Sequence, residues 1–107
     1  MTGLVDREKR ADLHLPVRVS GQDAAGADFT ETTRSLNISG GGICIETRRN
    51  LLVGLRLLLE IQLPPSLRKH FGDRSLYRAR AVVCRVERFE GQDVSRIGAR
   101  FLGEAEG

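Results

Sequence analysis

The chain has 107 residues, room for one domain and not two, and its 40% hydrophobic and 29% charged residues exclude a disordered or collagen-like chain. No window approaches the roughly 18 consecutive apolar residues of a membrane span, and residues 1–10 lack the apolar stretch of a signal peptide, so a cytoplasmic chain without membrane insertion is expected. Fifteen of the seventeen cations are arginine and the formal net charge is +3; the rigid donor fork of arginine suits phosphate and the guanine edge, while the plainer alternative is a set of solvated strand faces.

Strand-like runs recur along the sequence, each ended by Gly, Pro, Asn or Asp, and helical periodicity is nearly absent. Leu13, Leu15, Val17 and Val19 alternate with His14, Pro16 and Arg18, a period of two that puts the apolar set on one face of a first strand. Pro16, which has no N–H to give a ladder, belongs at a strand edge or a strand's first position. Residues 20–28 read as a turn and the Thr-rich run from Phe29 to Asn37 as a second strand, the two forming a hairpin. Three glycines, Gly40 to Gly42, then separate that strand from the short run Ile43 to Glu46.

Leu55 to Leu63 is apolar enough for helix or strand; its length and the stop at Pro64 and Pro65 favour a strand. The polar stretch 66–75 reads as a loop with one helical turn. Tyr77 to Phe89 reads as a long strand with Ala79, Ala81 and Val83 on one side and Val82 and Val86 on the other, and Arg96 to Leu102 as the last strand. Six short antiparallel strands around one core predict an all-β chain, a small closed or split barrel, because closure removes exposed edges. Cys44 and Cys84, 40 residues apart with no CxxC, suggest neither a zinc site nor a disulfide and read as small core residues.

Catalysis has little support. A nucleophile needs a base within hydrogen-bond reach, and the two histidines, His14 on a polar strand face and His70 beside Lys69 in the polar loop, read as surface residues. Glu87 and Glu90 read as solubilising carboxylates in charged turns. No metal-ligand cluster, phosphate loop or dinucleotide fingerprint is present, so no enzyme, metal site or cofactor is expected. A nucleic-acid-binding barrel would use aromatic stacking platforms among basic residues. Tyr77 and the four phenylalanines are not clustered with basic residues, so no nucleic-acid partner is expected.

Two features remain: the basic run Asp6-Arg7-Glu8-Lys9-Arg10 before the first strand, and Asn37-Ile38-Ser39-Gly40-Gly41-Gly42 at the end of the second. Glycines there let backbone N–H groups converge on an anion, and Ser39 adds a hydroxyl; a plain turn or bulge is the alternative. In this order the two features resemble the PilZ domain family, the small β-barrel receptors of bacterial cyclic dimeric GMP, over nearly the whole chain. Pro16-Val17, Asn37-x-Ser39-x-x-Gly42 and Ile97-Gly98-Ala99-Arg100-Phe101-Leu102 stand where the family has Pro-Val after an RxxxR motif, [D/N]xSxxG, and a late strand with Gly and Phe.

The resemblance implies a flexible basic segment at 1–12, a PilZ-like barrel at 13–103, and a ligand site of Arg7, Arg10, Asn37, Ser39 and Gly42. It implies cyclic dimeric GMP as ligand, ordering of the arginine segment on binding, and a protein effector as partner. Arg10 matches the second arginine of RxxxR, but Asp6 holds the place of the first and the nearest arginine is Arg7. The alternative is therefore a degenerate PilZ domain that binds no nucleotide and acts as a protein–protein interaction adaptor.

Overall fold

A computed structural model describes residues 14–105 of the chain. Leu13 and the whole of segment 1–12, with Asp6, Arg7 and Arg10, lie outside the described residues. Six strands, β1 (Pro16–Gln22), β2 (Asp28–Ile38), β3 (Gly42–Thr47), β4 (Arg56–Gln62), β5 (Leu76–Arg88) and β6 (Ser95–Glu104), close into an antiparallel barrel in the order β1-β2-β3-β6-β5-β4. The short helix α1 (Pro65–Arg68) and a 3-10 turn (Lys69–Phe71) join β4 to β5, with proline in the first helical turn and Gly72 left-handed at φ 72° after the last.

Alternation sets the core. Leu15, Val17 and Val19 of the first run point inward with Leu57, Leu59 and Ile61 of β4 and Ala79, Ala81 and Val83 of β5. Leu67 and Phe71 of the connection pack against this core beside Tyr77 and Phe101. Among the described residues no helix is long and apolar enough to cross a membrane. Pro16 is the first residue of β1 and pairs only with Arg34, while the β4 side of the ladder starts at Val17, so its missing N–H interrupts nothing.

Three one-residue irregularities shift this alternation: Leu36 between Ser35 and Asn37, Cys84 between Val83 and Arg85, and Leu102 between Phe101 and Gly103. A bulge moves every later side chain to the opposite face. After Leu36 the inward residue is Ile38 rather than Asn37, and after Cys84 it is Val86, which packs against the core. Three expectations are corrected here. Val86 does not share the outer side with Val82, and Cys84 is exposed although Cys44 is buried. Glu87 also lies within β5, opposite Arg96, and not in a turn.

Candidate ligand cleft

The bulge at Leu36 re-aims Asn37. Uninterrupted alternation from Phe29 and Ser35 would turn its amide into the core; the extra residue turns it onto the outer face instead, where it pairs with Cys44 of β3. The ladder continues from Cys44 to Gly98 of β6 and from Gly98 to Arg85 of β5. Asn37, Cys44, Gly98 and Arg85 therefore form one lateral row across four strands. Beside it runs a second row in which Gly42 pairs with Arg100 and Arg100 with Val82.

These rows floor an open cleft of about 320 Å³, lined by Asn37, Ser39, Gly42, Cys84, Arg85 and Arg100 among others. Its wall on one side is the tight connection from β2 to β3, where the N–H of Ser39 donates to the Gly42 carbonyl at 2.9 Å. The Gly41 N–H donates to Oγ of Ser39 at 3.2 Å, so this hydroxyl accepts from the backbone and keeps its own proton to donate elsewhere. Both charged residues lining the cleft are arginines. Among the described residues Arg100 has no carboxylate partner, and Arg85 has only a 3.9 Å approach to Glu87. An unpaired guanidinium at Arg100, a second at Arg85 held only at long range by Glu87, a hydroxyl donor and a primary amide suit a phosphorylated ligand with hydrogen-bonding bases.

The glycines have distinct reasons. A Cβ on Gly42 would stand 2.5 Å from the carbonyl oxygen of Ala99, so glycine is required for β3 to lie against β6. A Cβ on Gly98 would meet the Arg85 side chain at 3.5 Å, which shows that guanidinium lying over the strand at the cleft floor. Gly40 faces open space.

Close by, the amino-terminal segment joins the barrel. Leu15 donates its N–H to Oγ of the buried Ser35 at 2.9 Å and accepts the Ser35 N–H at 2.9 Å, and Nδ1 of His14 donates to the Ser35 carbonyl at 3.1 Å. Ser35 is two residues before Asn37, so the chain arrives beside the cleft. Arg10 is four positions before His14, a reach of at most about 14 Å.

Of the residues expected at the site, the structure brings together Asn37, Ser39 and Gly42; Arg7 and Arg10 lie outside the described residues. The structure adds Cys84, Arg85, Gly98 and Arg100 to the site. Register assembles them, and the one sequence signal was the stretch from Ile97 to Leu102, which carried Gly98 and Arg100 without showing their neighbours. A second groove of about 390 Å³ lies over Glu31, Thr33, Glu46 and Thr47. Its polar groups are engaged internally: Glu31 accepts from Thr47 Oγ1 and from the Arg48 N–H, and Thr33 Oγ1 donates to the Glu46 carbonyl.

Comparison with known proteins agrees with this architecture. The fold is similar to Bacillus subtilis inhibitor of motility (MotI/DgrA), with a TM-score of 0.69, 24% identity, 92% of this chain covered and 43% of that one. It is similar to the PilZ domain of Escherichia coli YcgR with c-di-GMP (TM-score 0.56, 20% identity, 91% and 77% covered). A third similar structure is the K. pneumonia MrkH–c-di-GMP complex (TM-score 0.57, 16% identity, 91% and 44% covered). The chain thus spans less than half the length of MotI/DgrA and of MrkH. At these identities the likeness establishes the fold. The curated proteins contain no match. The PilZ domain model matches residues 5–106, nearly the whole chain, and the chain therefore belongs to the PilZ domain family.

Proposed function

We propose that this chain is a receptor for cyclic dimeric GMP, bound in the cleft on the outer face of β2, β3, β6 and β5, and that binding signals to a partner protein. The observation that carries this reading is the convergence of Asn37, Ser39 and Gly42 with Arg85 and Arg100 on one open cleft. In this reading Asn37 and Ser39 hydrogen-bond the ligand, and Gly42 fixes the β3–β6 spacing beneath it. Arg7 and Arg10, on segment 1–12, fold over the ligand and order against the barrel of residues 13–103. The guanidiniums meet phosphates or donate in pairs to O6 and N7 of guanine. Solved structures of similar fold include a PilZ domain and MrkH with this nucleotide, which supports the ligand class. The protein works as a receptor and adaptor in the cytoplasm, with no catalytic residue and no cofactor.

A second reading is favoured by Asp6, an acidic residue where the family motif has its first arginine. In that reading the cleft is vestigial and the barrel acts through protein contacts alone. Calorimetric titration with cyclic dimeric GMP, with GTP as control, separates the two. Saturable heat with the cyclic dinucleotide alone supports the receptor; no heat from a folded sample supports the adaptor without nucleotide.

A further inference from the structure

On the outer face of β4, β5 and β6, beside the cleft and next to the Glu60–Arg78 ion pair, alternation places a block of arginine and aliphatic residues. Leu58 of β4 pairs with Arg80 of β5, and in the neighbouring row Arg56 pairs with Val82 and Val82 with Arg100 of β6. The bulged Leu102, 40% exposed, stands next to this block. Each arginine has an aliphatic neighbour across the ladder or beside it, and no two arginines are directly opposed. Arg56, Arg80 and Arg100 are exposed and have no carboxylate partner among the described residues. The carboxylates at the margin are occupied: Glu60 accepts from Arg78 at 2.9 Å, and Glu104 pairs with Arg74. The Gly54 N–H bonds to the Val83 carbonyl, which ties the loop carrying the exposed Leu52 and Val53 to β5.

We infer that this face of β4, β5 and β6 docks an acidic protein surface with an aliphatic centre, the partner that the adaptor part of the reading above requires. Unpaired arginines around Leu58, Val82 and Leu102 match the make-up of protein interfaces, where arginine is enriched and an apolar centre is ringed by polar groups. Two positive charges outside the cleft, at Arg56 and Arg80, have no local compensation, and they attract negative groups and set orientation. The block contains no aromatic stacking platform for nucleic acid, and its aliphatic side chains need an apolar counterpart that a phosphate backbone does not offer.

The test uses the full chain and a fluorescein-labelled amphipathic helical peptide of Glu, Leu and Ala, followed by anisotropy. Duplex DNA and phosphatidylglycerol vesicles are the competing probes. Saturable peptide binding, weakened about tenfold or more by Arg80→Glu and independently by Arg56→Glu with unchanged circular dichroism, supports the proposal. Absence of peptide binding, indifference to both substitutions, or tighter binding of DNA or vesicles through the same arginines would overturn it. Neither arginine lines the cleft, so titrating Arg80→Glu with cyclic dimeric GMP separates the two claims. Retained nucleotide binding with lost peptide binding locates the partner surface; retained peptide binding by a protein that ignores the nucleotide removes the receptor reading and leaves the docking face standing.

Discussion

Gly42 of β3 lies so close to Ala99 of β6 that a methyl group on its Cα would stand 2.5 Å from the Ala99 carbonyl oxygen. Backbone, not a flexible side chain, is the obstacle. Gly42→Ala is therefore expected to cost about 1–3 kcal/mol, the range for overpacking, in a urea or thermal unfolding measurement. Loss of ligand affinity in this variant reports on the barrel as well as on the ligand. An unchanged midpoint would show that β3 and β6 part without penalty.

Arg85 and Arg100 are the cleaner probes of binding. Both are exposed, so replacing them leaves no buried group unsatisfied, and surface substitutions of this kind stay within about 0.5 kcal/mol of wild type. A lost charge-assisted hydrogen bond costs about 1.5–3 kcal/mol, so Arg85→Ala and Arg100→Ala should each weaken cyclic dimeric GMP about tenfold to a hundredfold. Calorimetry of wild type and both variants checks this. Undiminished affinity in both would move the ligand off the β5–β6 side of the cleft.

Ser35→Ala tests the anchor of the amino-terminal segment. Ser35 is buried and its hydroxyl accepts the Leu15 N–H. Removing it leaves a buried donor unsatisfied at about 1–3 kcal/mol, and hydrogen exchange at the Leu15 amide should accelerate. Because the anchor lies two residues from Asn37, the expected loss of ligand affinity is smaller than for Arg85→Ala. Exchange as slow as in wild type would mean another group holds the junction.

Asp6→Arg restores the family's arginine spacing with Arg10. If a carboxylate near the ligand phosphates repels them, the exchange should tighten binding about tenfold or more, through the charge removed and the donors added. Arg7→Ala is its complement: lost affinity would show that Arg7 takes the missing role from one position away. No change in either variant would detach the whole segment from ligand recognition.

Much of the fold was legible because period-two alternation is written directly in residues such as Leu15, Val17 and Val19, and the stops at Pro64 and Gly40 are local. The glycine and serine of the β2–β3 connection were legible for the same reason. Bulges were not: Leu36 and Cys84 add a residue without altering composition, yet they decide that Asn37 and Cys84 face outward and Val86 inward. Arg85 and Arg100 are not legible as site residues because they join Asn37 and Gly42 only through the register of β5 on β6 and β6 on β3. Spacing along the chain carries no trace of that.

The most direct measurement is an amide NMR titration of the uniformly labelled full chain with cyclic dimeric GMP. Saturable shifts concentrated at Asn37 to Cys44, Arg85 and Gly98 to Arg100, with new changes in residues 7–10, are the expected result. Absence of shifts at high ligand concentration, or saturable shifts confined to other faces of the barrel, would contradict a cyclic dinucleotide receptor built on this cleft.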